Sequence, residues 1–134
     1  MTKLILRGTA GQGIKLLSLI LADILKGQGY QIALTHEYSP LVRFGESNAY
    51  LIFSRQKIEN PLIEKADLEY DLKEKRLQND LLKKYNNKKS MNMVLLGVIL
   101  KKLNLKIDGK KIERYLPKKF IEENLKAIKK GNEE

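Results

Sequence analysis

The 134-residue chain contains no cysteine and no tryptophan, one histidine, three prolines and three phenylalanines. Without thiols it forms no disulfide, offers no thiolate to zinc or an iron–sulfur cluster, and cannot carry out cysteine nucleophilic catalysis. Iron–sulfur chemistry connected with this chain therefore belongs to a partner. Long hydrophobic runs are also missing. The apolar stretches around Ile14 to Leu25 and Met91 to Leu100 fall well below the roughly 20 residues of a membrane-spanning helix. The opening "MTKLILRG" has too short an apolar centre for a signal peptide. The expectation is a soluble, cytoplasmic protein of one domain.

Positive charge is abundant, with a formal net charge of +10. Residues 1–60 hold seven Lys+Arg and four Asp+Glu, against nineteen and twelve in residues 61–134. The excess is C-terminal, interleaved with acids and mostly lysine. Base readout and stacking would favour arginine and aromatics. A solvated lysine face therefore explains the charge better than a nucleic-acid site does.

Glycine is concentrated where an apolar, strand-like run meets an apolar, helix-like one, in "LILRGTAGQGIKLLSLILADIL". Glycine admits backbone angles closed to other residues and lets a ligand or a second backbone come close. Two phosphate-binding patterns fail here. Gly8 and Gly13 have the spacing of a mononucleotide loop, but Ile14 and Lys15 stand where Lys and Ser or Thr are required. A dinucleotide fingerprint would need glycine at Ala10, although Glu37 is at the distance of a ribose-binding acid. A tight turn that starts the helix close to the sheet remains the structural alternative.

The remaining pattern gives an α/β order. Residues 3–7 read as a buried strand, followed by a helix from near Gln12 that is apolar almost all round and so expected to be covered on two sides. Gly27 or Gly29 is placed to end it. "YQIALTH" reads as a second strand, and the strand–helix–strand order predicts parallel pairing through a right-handed crossover. "NAYLIFSRQKI" is a third strand whose partner and direction are open. Residues 68–89 form a polar connector, with Leu68, Tyr70 and Leu72 spaced for an edge strand and Leu77, Leu81 and Leu82 for a thin helical stripe. An apolar helix over "SMNMVLLGVILKKL" follows, with Ser90 as its expected cap and Gly97 allowing close packing. Asp108 is placed to cap a short helix. Pro117 opens the last helix, where Phe120, Ile121, Leu125 and Ile128 are expected on one face and Gly131 at the end.

Five separated segments carry a family likeness. "GTAGQG", with Gly8, Gly11, Gln12 and Gly13, resembles the G-x-G-G-Q-G turn of the gamma subunits or domains of 2-oxoacid:ferredoxin oxidoreductases, which act on pyruvate, 2-oxoglutarate, branched-chain 2-oxoacids or indolepyruvate. "YSPLVRFG", with Tyr38, Pro40, Arg43 and Gly45, is similar to their Y-G-P-x-x-R-G-G loop. "NPLIEKADL" and "NMVLLGVIL" are similar to later segments in the same order, and "FIEENLKAIKKG" to the closing helix. The likeness covers residues 2–67 and 90–131. Ala10, Ser39 and Phe44 replace glycines of the pattern, and about twenty polar residues occupy the place of further central elements.

The resemblance implies a single gamma-type domain over residues 1–134, built as a small Rossmann-like sheet flanked by helices and missing part of the usual central sheet. It implies a non-catalytic subunit in a complex that decarboxylates a 2-oxoacid oxidatively to acyl-CoA. Thiamine diphosphate and iron–sulfur clusters would then sit on alpha, beta and ferredoxin-type partner subunits, with no cofactor bound by this chain alone and coenzyme A as a substrate of the complex. Gly8, Gly11, Gln12, Gly13, Tyr38, Pro40, Arg43 and Gly45 become the expected ligand or partner contacts. No catalytic or metal-binding residue is expected. Arg43 could clamp a carboxylate or phosphate bidentately, or make an interface salt bridge. His36, with no positioned partner in sequence, reads as structural. Two other readings stand beside this one: a degenerate scaffold member without activity, and a basic nucleotide or nucleic-acid binding module.

Overall fold

A computed structural model describes residues 1–39, 45–61 and 65–133. The chain divides into two compact units, residues 1–73 and 74–134.

The first unit is a four-stranded sheet with one helix packed on it. β1 (Thr2–Thr9), α1 (Ile14–Gly27), β2 (Gln31–Ser39), β3 (Glu46–Ser54) and β4 (Leu68–Asp71) follow in chain order. The spatial order is β2-β3-β1-β4. β3 is antiparallel to both β1 and β2, and β4 is parallel to β1. The predicted parallel pairing of β1 with β2 is therefore corrected. The two strands run in the same direction, but β3 lies between them and hydrogen-bonds to both. Residues 40–45 make a connection short enough for a hairpin, so β2 and β3 pair locally, and β3 occupies the position next to β1.

Alternation sorts the sheet into two faces. Leu4, Leu6 and Gly8 of β1 lie on one side with Ala49, Leu51 and Phe53 of β3 and with His36 of β2. α1 covers that side. A Cβ on Gly8 would meet Ile14 Cγ1 at 2.6 Å, and Ser18 Oγ is 2.6 Å from His36 Nε2. Ile14, Leu17, Ile20, Leu21, Ile24 and Leu25 of α1 are all buried, whereas Leu19 remains exposed. Arg7, Asn48, Tyr50, Glu37 and Glu46 belong to the opposite face.

The second unit is helical: α2 (Lys75–Lys84), a 3-10 turn at Lys88–Ser90, α3 (Met91–Lys102), α4 (Gly109–Glu113), a second 3-10 turn at Lys118–Phe120, and α5 (Ile121–Asn132). The polar stretch 68–89 thus holds a short strand and a helix. α3 and α5 pack backbone to backbone. A Cβ on Gly97 would strike the Ile128 carbonyl oxygen, one on Gly131 would strike that of Val94, and Asn132 Nδ2 donates to Gly97 O at 3.0 Å. Gly131 is therefore a packing residue inside α5, which runs on to Asn132. Ser90 makes no side-chain cap. Asn87 accepts from Lys89 N–H at 3.0 Å one turn earlier, and Asp108 caps α4 as expected, accepting from Lys111 N–H at 3.2 Å. Phe120, expected on the packed face of the last helix, is 50% exposed. Ile128 is buried as expected, and Ala127 and Gly131 are buried with it.

Candidate functional site

The strand directions bring the carboxyl ends of β1, β2 and β4 and the start of β3 to one end of the sheet. Thr9 pairs with Glu46, Ser39 pairs with the same Glu46, and Arg7 pairs with Asp71. In open α/β sheets ligands bind beyond the carboxyl ends of parallel strands. The glycine turn lies at this end.

Two features shape the turn. Gly11 and Gly13 both have left-handed backbone, φ +93° and +75°, where a side chain would be strained. Gly13 is the N-cap of α1 and supplies no capping side chain. The electropositive end of the helix therefore faces the turn with no capping carboxylate or hydroxyl from that position. Gln12 fixes the rest. Its Oε1 accepts from Thr9 N–H at 2.7 Å, its Nε2 donates to Leu72 O at 3.0 Å, and its own N–H donates to Thr9 O at 3.1 Å. The one side chain thus ties the turn to itself and to the end of β4.

The second motif meets the first through the backbone. Ala10 N–H donates to Gly45 O at 2.8 Å, which holds the end of the "YSPLVRFG" loop against the glycine turn. Gly45 is also left-handed, with φ +57°. Ala10, which stands where the family pattern has glycine, thus makes this link with an amide that any residue but proline would supply. Tyr38 is placed by register opposite Ser47, which pairs with Gly8 on its other side. Pro40 and Arg43 lie outside the described residues. Gly8, Gly11, Gln12, Gly13 and Gly45 lie at the same end of the sheet.

Charged groups surround this end of the sheet. Lys73 Nζ is 3.0 Å from Glu46 Oε1 and 3.8 Å from Asp71 Oδ2, and Arg7 Nε donates to Glu69 Oε1 at 2.8 Å. The hydrogen bond to Glu69 is the main reason the Arg7 guanidinium is raised above its ordinary value. Arg7 also lies over the Tyr50 ring, 5.9 Å from its centroid. None of these residues stood out in the sequence, because the Arg7–Glu69 and Lys73–Glu46 pairs join segments far apart in the chain.

His36 does have a positioned partner. Ser18 Oγ donates to Lys15 O at 2.8 Å, which leaves the hydroxyl oxygen to accept from His36 Nε2–H. Burial pushes the imidazole below its ordinary value, and the Lys15 ammonium adds to the effect. Ser18 is fully buried, so the pair joins α1 to β2 and offers no accessible nucleophile. A serine within an otherwise apolar helix was the available signal.

The model of the family described as "Pyruvate ferredoxin/flavodoxin oxidoreductase" matches residues 3–79. No protein of curated function matches the sequence significantly. Among solved structures, the chain is similar to the keto/oxoacid ferredoxin oxidoreductase gamma subunit from Geobacter sulfurreducens, with 18% identity, a TM-score of 0.65, and 98% of this chain and 96% of that one covered. It is similar to the pyruvate oxidoreductase subunit PORC from Thermotoga maritima, with 20% identity, a TM-score of 0.63, and coverage of 99% and 96%. It is also similar to 30% of the longer 2-oxoglutarate:ferredoxin oxidoreductase chain from Magnetococcus marinus, at 16% identity and a TM-score of 0.67 over 98% of this chain. That enzyme was determined with 2-oxoglutarate, coenzyme A and succinyl-CoA bound. These likenesses carry the fold. The family model spans more than half of the residues, from β1 into α2, and the chain belongs to the pyruvate ferredoxin/flavodoxin oxidoreductase family.

Proposed function

We propose that the chain is the gamma-type, non-catalytic subunit of a cytoplasmic 2-oxoacid:ferredoxin oxidoreductase. The complex would convert a 2-oxoacid, coenzyme A and an oxidised electron acceptor into acyl-CoA, carbon dioxide and the reduced acceptor. Thiamine diphosphate would supply the decarboxylation chemistry on large partner subunits, and iron–sulfur clusters would carry the electrons. A cysteine-free chain has no thiolate with which to anchor such a cluster. Two of the structural relatives are themselves separate subunits covered almost end to end, which supports reading residues 1–134 as one gamma-type subunit.

The observation that carries the site is the 2.8 Å hydrogen bond from Ala10 to Gly45, because it joins the two family motifs into one surface at the sheet's carboxyl end. Gly8, Gly11, Gln12 and Gly13 form the architectural side of that surface. Tyr38, Pro40, Arg43 and Gly45 of the second motif are the residues proposed to meet a ligand or partner, with Arg43 supplying the cation.

Purification of the tagged chain from its native source tests the proposal. Co-elution of large subunits carrying thiamine diphosphate and a brown iron–sulfur chromophore is the expected result. Recovery of the chain alone under several salt conditions would contradict it. If the complex forms but oxidises 2-oxoacids equally well without this chain, the degenerate scaffold reading replaces it.

A further inference from the structure

On the sheet face away from α1, Asn48 sits on the central strand β3, cross-strand from Arg7 of β1 and Glu37 of β2. It is 3% exposed. Its Nδ2 reaches Glu37 Oε1 at 3.4 Å, but its Oδ1 is buried without any hydrogen-bond partner. Buried acceptors are almost always paired, and an orphan costs about 1–3 kcal/mol. Among the described residues Asn48 Oδ1 is the only buried side-chain polar atom left in that condition.

Two nearby donor atoms are directed to carboxylates. Arg7 Nε is directed to Glu69, and Lys73 Nζ to Glu46 and Asp71. The described charged residues at this end of the face are Glu37, Glu46, Glu69 and Asp71 against Arg7 and Lys73. That makes a net charge of −2 on a chain whose total is +10. The local excess is thus opposite in sign to the rest of the molecule. Glu37 is exposed, and the Glu69 side chain is 50% exposed, so the carboxylates are accessible from outside.

We propose that this face, centred on Asn48 and Glu37, is a docking site for a cationic side chain, an arginine or lysine, presented by a large partner subunit of the oxidoreductase complex. The cation pairs with the Glu37 carboxylate and, as the Glu37 side chain turns outward to meet it, donates an N–H to Asn48 Oδ1. The orphan acceptor is then satisfied in the assembled state. The patch's sign selects a basic partner surface and repels acidic ones. The site is separate from the glycine turn, though both lie toward the same end of the sheet. It rests on the subunit reading above.

The test uses two variants and two readouts. Asn48→Leu removes the unpaired acceptor while keeping the side chain's approximate volume, and Glu37→Gln removes one exposed charge. The melting temperature of the free chain is measured alongside its affinity for the purified large subunits at two salt concentrations. The site predicts that Asn48→Leu leaves the free chain as stable as the parent or more stable, yet weakens assembly about tenfold or more. Glu37→Gln should weaken assembly about threefold to tenfold and reduce its salt dependence. A purely structural Asn48 gives a different pattern, in which stability changes and affinity does not. Parental affinity in both variants overturns the docking site and leaves the subunit reading intact. Failure of the parent chain itself to bind the large subunits overturns both.

Discussion

Two pairs of glycines, one in each unit, are fixed for opposite reasons. In residues 1–73, Gly11 and Gly13 take left-handed angles, and space is not what fixes Gly11, since a Cβ there would meet nothing within 4 Å. In residues 74–134, Gly97 and Gly131 have ordinary helical backbone but no room, because the facing helix's carbonyl oxygens occupy the place of a Cβ. Charge divides the same way. The first unit holds nine Lys+Arg and eight Asp+Glu, the second seventeen and eight. In the sheet unit those charges make specific pairs around the carboxyl ends of the strands. In the helical unit they lie mostly on exposed surface, and the structure-defining event is the apolar contact of α3 with α5. One unit is built to hold a turn in place, the other to bring two backbones together.

Substitutions that swap the two demands break this comparison. Gly97→Ala supplies a methyl that must displace the Ile128 carbonyl or separate the helices. It should cost about 2–4 kcal/mol, read as loss of amide protection in α3 and α5. If Gly97→Ala melts like the parent, the helices are not in backbone contact. Gly13→Val should cost about 1–3 kcal/mol through backbone strain. Gly11→Ala, strained but unobstructed, should cost only about 1–2 kcal/mol. An equal or larger loss at Gly11 than at Gly97 would invert the assignment.

Gln12→Ala removes both side-chain hydrogen bonds of the turn and should cost about 1–2 kcal/mol, with faster exchange at Thr9 N–H as the local signature. The smallest effect concerns pH. The folded state binds the His36 proton less tightly than the unfolded chain does. Stability from this group is therefore complete above the ordinary histidine value of about 6.5 and declines as pH falls below it. His36→Gln should flatten that part of the stability profile. An unchanged slope between about pH 7 and 5 would place its origin in other groups.

Much of the sheet unit could be read in the sequence because its signals are local. A three-residue apolar run, Leu4 to Leu6, a glycine turn and an apolar helix specify β1 and α1 without reference to the rest of the chain. The position of β3 between β1 and β2 was not legible, since strand order depends on pairings between residues some fifty apart, such as Thr2 with Phe53. The same holds for Gln12 with Leu72 and for Lys73 with Glu46. Gly131 illustrates the limit within the helical unit. As a glycine near the end of a periodic run it reads as a terminator, and only the facing Val94 carbonyl reveals its packing role. Ser18 is a polar residue in an apolar helix, but its partner His36 lies on another element.

The central claim is that the working surface is the carboxyl end of the first unit's sheet, where the glycine turn and the following loop are joined. Hydrogen–deuterium exchange of the chain, free and assembled with its large subunits, tests this most directly. The account predicts that assembly adds protection at residues 8–13 and 45–48 and leaves α5 largely unchanged. Protection confined to α3, α4 and α5, with the glycine turn exchanging as it does in the free chain, would contradict it.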